Sequence, residues 1–163
     1  MQDHGRGASP RPFSTEGSDM NRTRGEFKAR REMAGLSQQD ISDALGVNIR
    51  TVKRWENPSF PYMPPKAAWK ALDDALDAQR RQVAYAVSTV EEQVEKFGRP
   101  PEEVRITYYR DQAMYDEHGR DAGPVGQANA AARAAAAAIE AMGVRAAFAY
   151  PVEGAVKTPG SGY

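Results

Sequence analysis

Residues 35–56 read GLSQQDISDALGVNIRTVKRWE, and two helix starts fall inside them. Ser37 and Asp40 stand three apart, the spacing at which a hydroxyl and a carboxylate cap the first amides of a helix reciprocally. Ile41, Ala44 and Leu45 follow as the stripe expected to be buried, and Gly46 supplies the left-handed residue that ends a short helix. Asn48 is a good N-cap for a second helix. Helical spacing turns Val52 and Trp55 of that helix inward and leaves Ile49, Arg50, Lys53 and Arg54 outside. The stretch therefore specifies a helix, a glycine turn and a helix with a cationic outer face.

Upstream, Thr23 and Glu26 repeat the capping pattern, Phe27, Arg31 and Ala34 share one helical face, and Gly35 supplies a stop. A third helix is expected there. Residues 1–19 are rich in Gly, Pro, Ser and charge with no apolar period, so a disordered tail is expected, and Met20 is a candidate start. Downstream, NPSFPYMPP at residues 57–65 holds four prolines and reads as a rigid extended connector at a domain boundary. Trp69, Leu72, Leu76, Val83, Val87, Val90, Val94 and Phe97 then recur at spacings of three and four, with Gln79 breaking the stripe. They predict one helix from about Pro65 to Phe97, about 50 Å long, which a small globule cannot cover alone.

Residues 104–109 (VRITYY) and 144–150 (VRAAFAY) have the β-branched and aromatic content of short strands, and an alanine-rich helix is predicted between them from Val125 to Met142. An extra helical turn fits residues 111–117, and residues 151–163 read as a flexible tail. The fold class expected is mainly α. A helix-turn-helix domain spans residues 20–60, and residues 61–150 form a long helix plus a small β-α-β module suited to dimerisation. The alanine run from Ala130 to Ala138 would let helices of two chains approach closely.

The chain has 163 residues, no cysteine and only two histidines, His4 and His118, far apart in sequence. Disulfides and thiolate metal sites are excluded, and neither a metal nor a cofactor is expected. No apolar run approaches the roughly 20 residues needed to cross a bilayer, and no hydrophobic signal segment opens the chain, so a cytoplasmic protein with no membrane partner is expected. The formal net charge is zero, yet residues 20–60 hold eight basic and five acidic side chains. So small a surplus says little alone; where those charges stand decides the matter.

Residues 35–56 resemble the helix-turn-helix of the Cro/repressor class, the XRE family, in the Ser-Gln opening, the Leu-Gly-Val turn, the cap at Asn48 and the Thr-Val-x-x-Trp-Glu ending. The resemblance implies that the third helix enters the major groove of double-stranded DNA. Ile49, Arg50 and Arg54 would meet base edges, Arg50 and Arg54 as planar forks on guanine and Ile49 on a thymine methyl. Lys53, Gln38 and the amides opening the second helix would grip phosphates, and Asn48 and Thr51 complete the set. It also implies a structural ion pair between Arg31 and Glu56. Two departures stand out: Asn57-Pro58 where the family has a left-handed glycine, and Ser42 where alanine is usual.

The order of parts, with the GRPPEEVRITYY transition at residues 98–109, is also similar to that of anti-CRISPR-associated repressors. That similarity implies a C-terminal dimerisation part and, in some members, repression through messenger RNA. The function expected is a homodimeric autorepressor on an inverted-repeat operator in a phage or mobile-element setting. The alternatives are an antitoxin whose C-terminal part binds a partner protein, and a repressor that also binds its own RNA through aromatics such as Tyr108 and Tyr109. A catalytic C-terminal module would have to use Asp111, Asp116, Glu117 and His118, which no nucleophile or phosphate loop accompanies; no enzyme is expected.

Overall fold

Thr23 accepts the Glu26 amide at 3.1 Å and opens α1 (Arg24–Met33). The reciprocal half of the box is missing, because the Glu26 carboxylate is taken by Arg30 one turn on, at 3.0 Å. Gly35 ends the helix at φ 72°, and the Leu36 amide returns to the Arg31 carbonyl at 3.0 Å. The box at α2 (Gln38–Leu45) is complete, with Ser37 and Asp40 each accepting the other's amide. Gly46, at φ 64°, turns the chain into α3 (Ile49–Glu56), which Asn48 caps. The computed structural model describes residues 22–153. The tails expected at residues 1–19 and from 154 onward lie outside the described residues.

Phe27, Ile41, Val52 and Trp55 form the core beneath these three helices, and Leu36, Leu45 and Val47 pack around it. That core does not close by itself. Ala68, Trp69 and Leu72, from the first turns of α4 (Lys66–Phe97), complete it. Trp69 meets Phe27 edge-on with ring centroids 5.2 Å apart, beside the 6.1 Å edge contact of Trp55 with the same ring. Residues 57–65 thus bring the chain back to the same core, and a cut at residue 60 would run through this packing. Ala44, expected to be buried, is not; Ile41 and Leu45 make the inward contacts of α2.

The long predicted helix is present as α4, with Pro65 at its N-cap and Gly98, at φ 70°, ending it. Its stripe changes partner along its length. Leu76 and Ala75 pack on Ala34 and Leu36 at the α1–α2 corner, whereas Val90 joins a second core with Ile139 and Val144. Gln79, the polar break in the stripe, sits where its amide donates to the Met33 carbonyl at the end of α1, at 3.0 Å. Val94 and Phe97 run beyond the packed surface and are exposed.

The C-terminal part is β1 (Glu103–Thr107), α5 (Gln112–His118), α6 (Val125–Ala141) and β2 (Arg145–Ala149). The strands pair in parallel with Val104 opposite Ala146 and Ile106 opposite Phe148, as a β-α-β connection requires. The architecture is mainly helical, with an N-terminal helix-turn-helix and a small two-stranded parallel sheet. Five alanines of α6, Ala130, Ala131, Ala132, Ala135 and Ala136, are buried inside the chain as α6 packs on α4 and on both strands. Within the run expected to meet a second chain, Ala134 and Ala138 are half-buried and Ala137 is exposed. Residues 151–153, expected to begin a flexible tail, form a 3-10 turn in which Glu153 accepts the Tyr150 amide.

Gly35 and Gly126 tie the two parts together. Their backbones lie so close that a Cβ on either would strike the carbonyl oxygen of the other. Gly35 therefore meets two demands at once, a positive φ and a contact that leaves no room for a side chain.

Candidate nucleic-acid interface

The helix offered to solvent is α3, and its placement follows from what it buries. Val52 and Trp55 are its inward residues, so the opposite face is left outside with Arg50, Lys53 and Arg54 exposed and Ile49 and Thr51 half-buried. The turn before it is held by Ser42, whose hydroxyl donates to the Val47 carbonyl at 2.6 Å. Serine in this tight place of α2 thus adds a hydrogen bond where alanine would have none. Asn48 spends its side-chain oxygen on the Arg50 amide, at 2.8 Å, which fixes the first turn of the helix.

The far end of α3 is braced by a buried ion pair. Arg31 donates to both carboxylate oxygens of Glu56, at 2.6 and 3.1 Å, and its third contact is the Leu36 carbonyl at 2.7 Å. The two side chains are only 9% and 6% exposed. This fork-on-carboxylate geometry is directional as well as attractive, so it sets the angle between α1 and α3. Gln38 belongs to the same network: its amide donates to Glu56 at 2.8 Å. Of the residues expected to grip phosphates, Gln38 is thus tied inward through its side chain.

Several cations on α1 and α4 find acids one turn away, as in Lys28 with Glu32, Arg30 with Glu26 and Lys70 with Asp74. Arg50, Lys53 and Arg54 have no ion pair or hydrogen bond to another side chain among the described residues. Three uncompensated cations on one exposed helical face attract a polyanion and lose none of their donors to internal partners.

Arg54 has a neighbour that local sequence reading missed. Its guanidinium lies over the Phe60 ring, 4.8 Å from the centroid. The departure at Asn57-Pro58 makes this possible. Asn57 ends α3 in extended conformation, φ −87° and ψ 116°, with no left-handed residue. Its side chain accepts the Ser59 amide at 2.9 Å and its carbonyl the Phe60 amide at 3.0 Å, which folds the chain back beside the helix. An aromatic six residues after an arginine, in a proline-rich segment, is the only local hint of the contact.

The residues weighed for catalysis or RNA stacking have structural partners. Asp111 caps α5 through the Met114 amide at 2.9 Å, and that bond, with Arg110 alongside, holds its carboxyl below the usual value. Asp116 accepts from Gln112. Tyr108 and Tyr109 are half-buried, stacked edge-on against Phe148 and Tyr115 respectively. No cluster of three potential metal ligands and no helix long and apolar enough to cross a membrane occurs among the described residues.

Comparison with known proteins agrees with the geometry over the first half of the described chain. Residues 24–86 match the model of a family described as helix-turn-helix domain. The match covers α1–α3 and continues well into α4, as the shared core with Trp69 requires. Among curated proteins no match was found. The chain carries a helix-turn-helix domain over residues 24–86, which points to a DNA-binding regulator.

Proposed function

We propose that the protein is a sequence-specific repressor that binds an inverted-repeat operator as a homodimer and controls its own operon in the cytoplasm, with no catalytic step. The observation that carries the reading is the uncompensated cationic face of α3. Arg50 stands in the first turn, where a helix entering the major groove end-on meets base edges. Arg54 projects one turn further on. Lys53, a point charge on a flexible stem, suits a phosphate better than a base.

Alanine at Arg50 is expected to lower operator affinity by about 1–3 kcal/mol and relax the preference at one base pair, with the circular dichroism spectrum unchanged. Lys53→Ala should weaken all sequences alike and reduce the salt slope of binding by about 1. Fluorescence anisotropy on operator and scrambled duplexes at several salt concentrations separates the two effects. Wild-type affinity and selectivity in a folded Arg50→Ala protein would remove α3 from the interface.

Dimerisation is supported by what the C-terminal part leaves uncovered. Tyr85, Val94 and Phe97 of α4 are 55%, 39% and 64% exposed. Both outer edges of the two-stranded sheet are also free of a neighbouring strand among the described residues. A sheet that narrow is marginal in water, and a second copy would cover both features. It would also place two recognition helices about 34 Å apart, on successive major grooves of a palindrome. Light scattering is expected to give a dimer at micromolar concentration, and Val94→Asp with Phe97→Asp a folded monomer that binds operator weakly. A monomeric wild-type chain would refute the dimer.

A further inference from the structure

We propose that Phe60 is a positioning residue for base readout: its ring holds the Arg54 guanidinium so that the N–H edge meets a guanine in one orientation. The inference deepens the reading of α3 as the DNA-contacting helix and rests on it.

Stacking and hydrogen bonding use different parts of a guanidinium. The Arg54 guanidinium carbon lies 4.8 Å from the Phe60 ring centroid; with the ring stacked on one face, the five donors, which lie in the guanidinium plane, stay free to bond. No hydrogen bond or ion pair to another described residue occupies those donors. A planar fork offered edge-on is what the O6 and N7 of guanine accept, and a fork already oriented loses less rotamer freedom when it binds. A phosphate accepts from any direction, so a device that fixes the plane favours base selectivity over general affinity.

The platform is itself held firmly. Asn57 closes the turn through the Ser59 and Phe60 amides. Arg24, at the start of α1, donates to the Phe60 carbonyl and, at 2.8 Å, to the Tyr62 carbonyl. Tyr62 packs at a tilt on Phe60 with centroids 6.1 Å apart. Pro58 and Pro61 restrict φ on either side. Phe60 is thus anchored to α1 as well as to α3, and its ring cannot simply follow a wandering Arg54.

The test is a double-mutant cycle on the full-length protein, read by anisotropy on the operator and on duplexes substituted at each half-site base pair. Arg54→Ala should lose affinity and selectivity at one base pair. Phe60→Leu, which keeps apolar bulk but removes the π face, should lose about three- to tenfold, confined to that same base pair. Phe60→Tyr should restore it, and the Phe60→Leu, Arg54→Ala double variant should be no worse than Arg54→Ala. Additive losses, a loss spread over every sequence, or failure of the tyrosine variant would overturn the positioning role. If Phe60→Leu does not fold, Phe60→Met and Phe60→Tyr carry the comparison. Should Arg54→Ala bind and discriminate as wild type does, the proposal falls, whereas the α3 reading is judged separately by Arg50→Ala.

Discussion

Replacing Trp69 with alanine is expected to destabilise the helix-turn-helix unit by about 3–5 kcal/mol, the range for a large aromatic removed from a packed core. Trp69 lies outside the helix-turn-helix motif in sequence, yet it is 5% exposed and stacks edge-on against Phe27, which is fully buried. Arg22 covers its outer face, 4.7 Å from the ring centroid, and pairs with Asp73 on the same helix at 3.0 Å. The cavity would open at the centre of the unit that aims α3. Since whole domains are stable by only about 5–15 kcal/mol, operator binding should fail together with folding. Urea denaturation followed by circular dichroism gives the measurement, with Lys70→Ala, whose side chain is exposed on the same helix, as the control expected to change little. A loss below about 1 kcal/mol at Trp69 would mean that α4 does not complete this core.

Glu56→Ala is expected to cost a comparable amount, about 3–5 kcal/mol, for a different reason. It leaves Arg31 buried with the Leu36 carbonyl and a distant 3.8 Å contact to Glu32 in place of a two-point carboxylate. It also strands the Gln38 amide. The cost is that of an uncompensated charge rather than of lost attraction, which sets up a discriminating comparison. Replacing both partners, Arg31→Met with Glu56→Leu, should be much less damaging than Glu56→Ala alone, because no charge is then left without a partner. The folded double variant should still bind DNA more weakly than wild type, since the bond that sets the angle between α1 and α3 is gone. Equal destabilisation by the single and the double replacement would show that shape, not charge, is what the pair supplies.

Short-range signals make the N-terminal half legible in the amino-acid sequence. Capping residues, glycine turns and helical spacing act between residues a few positions apart, and the hydrogen bonds at Ser37, Gly46 and Asn48 form as that spacing demands. Trp55 lies inside for the same reason: it is three residues from Val52 on a helix that must bury one face. The parallel strands fall within a residue or two of their expected limits, because β-branched and aromatic residues bounded by glycine and proline mark a strand locally.

The order and kind of the elements, the caps that end them and the outward face of α3 are thus written in neighbouring residues. Which elements share a core and which polar groups meet depended instead on how the whole chain packs. Packing brought Trp69 under Phe27, tied the Gln38 amide to Glu56, left Ala44 out of the core and set Gly35 against Gly126. It turned the alanines of α6 onto α4 and slid Phe60 beneath Arg54. Each of these contacts follows from the angle and distance at which two helices or a loop meet, which no periodicity encodes. A hydrophobic period states only that a face must be covered; the partner that covers it is chosen by the shape of everything else.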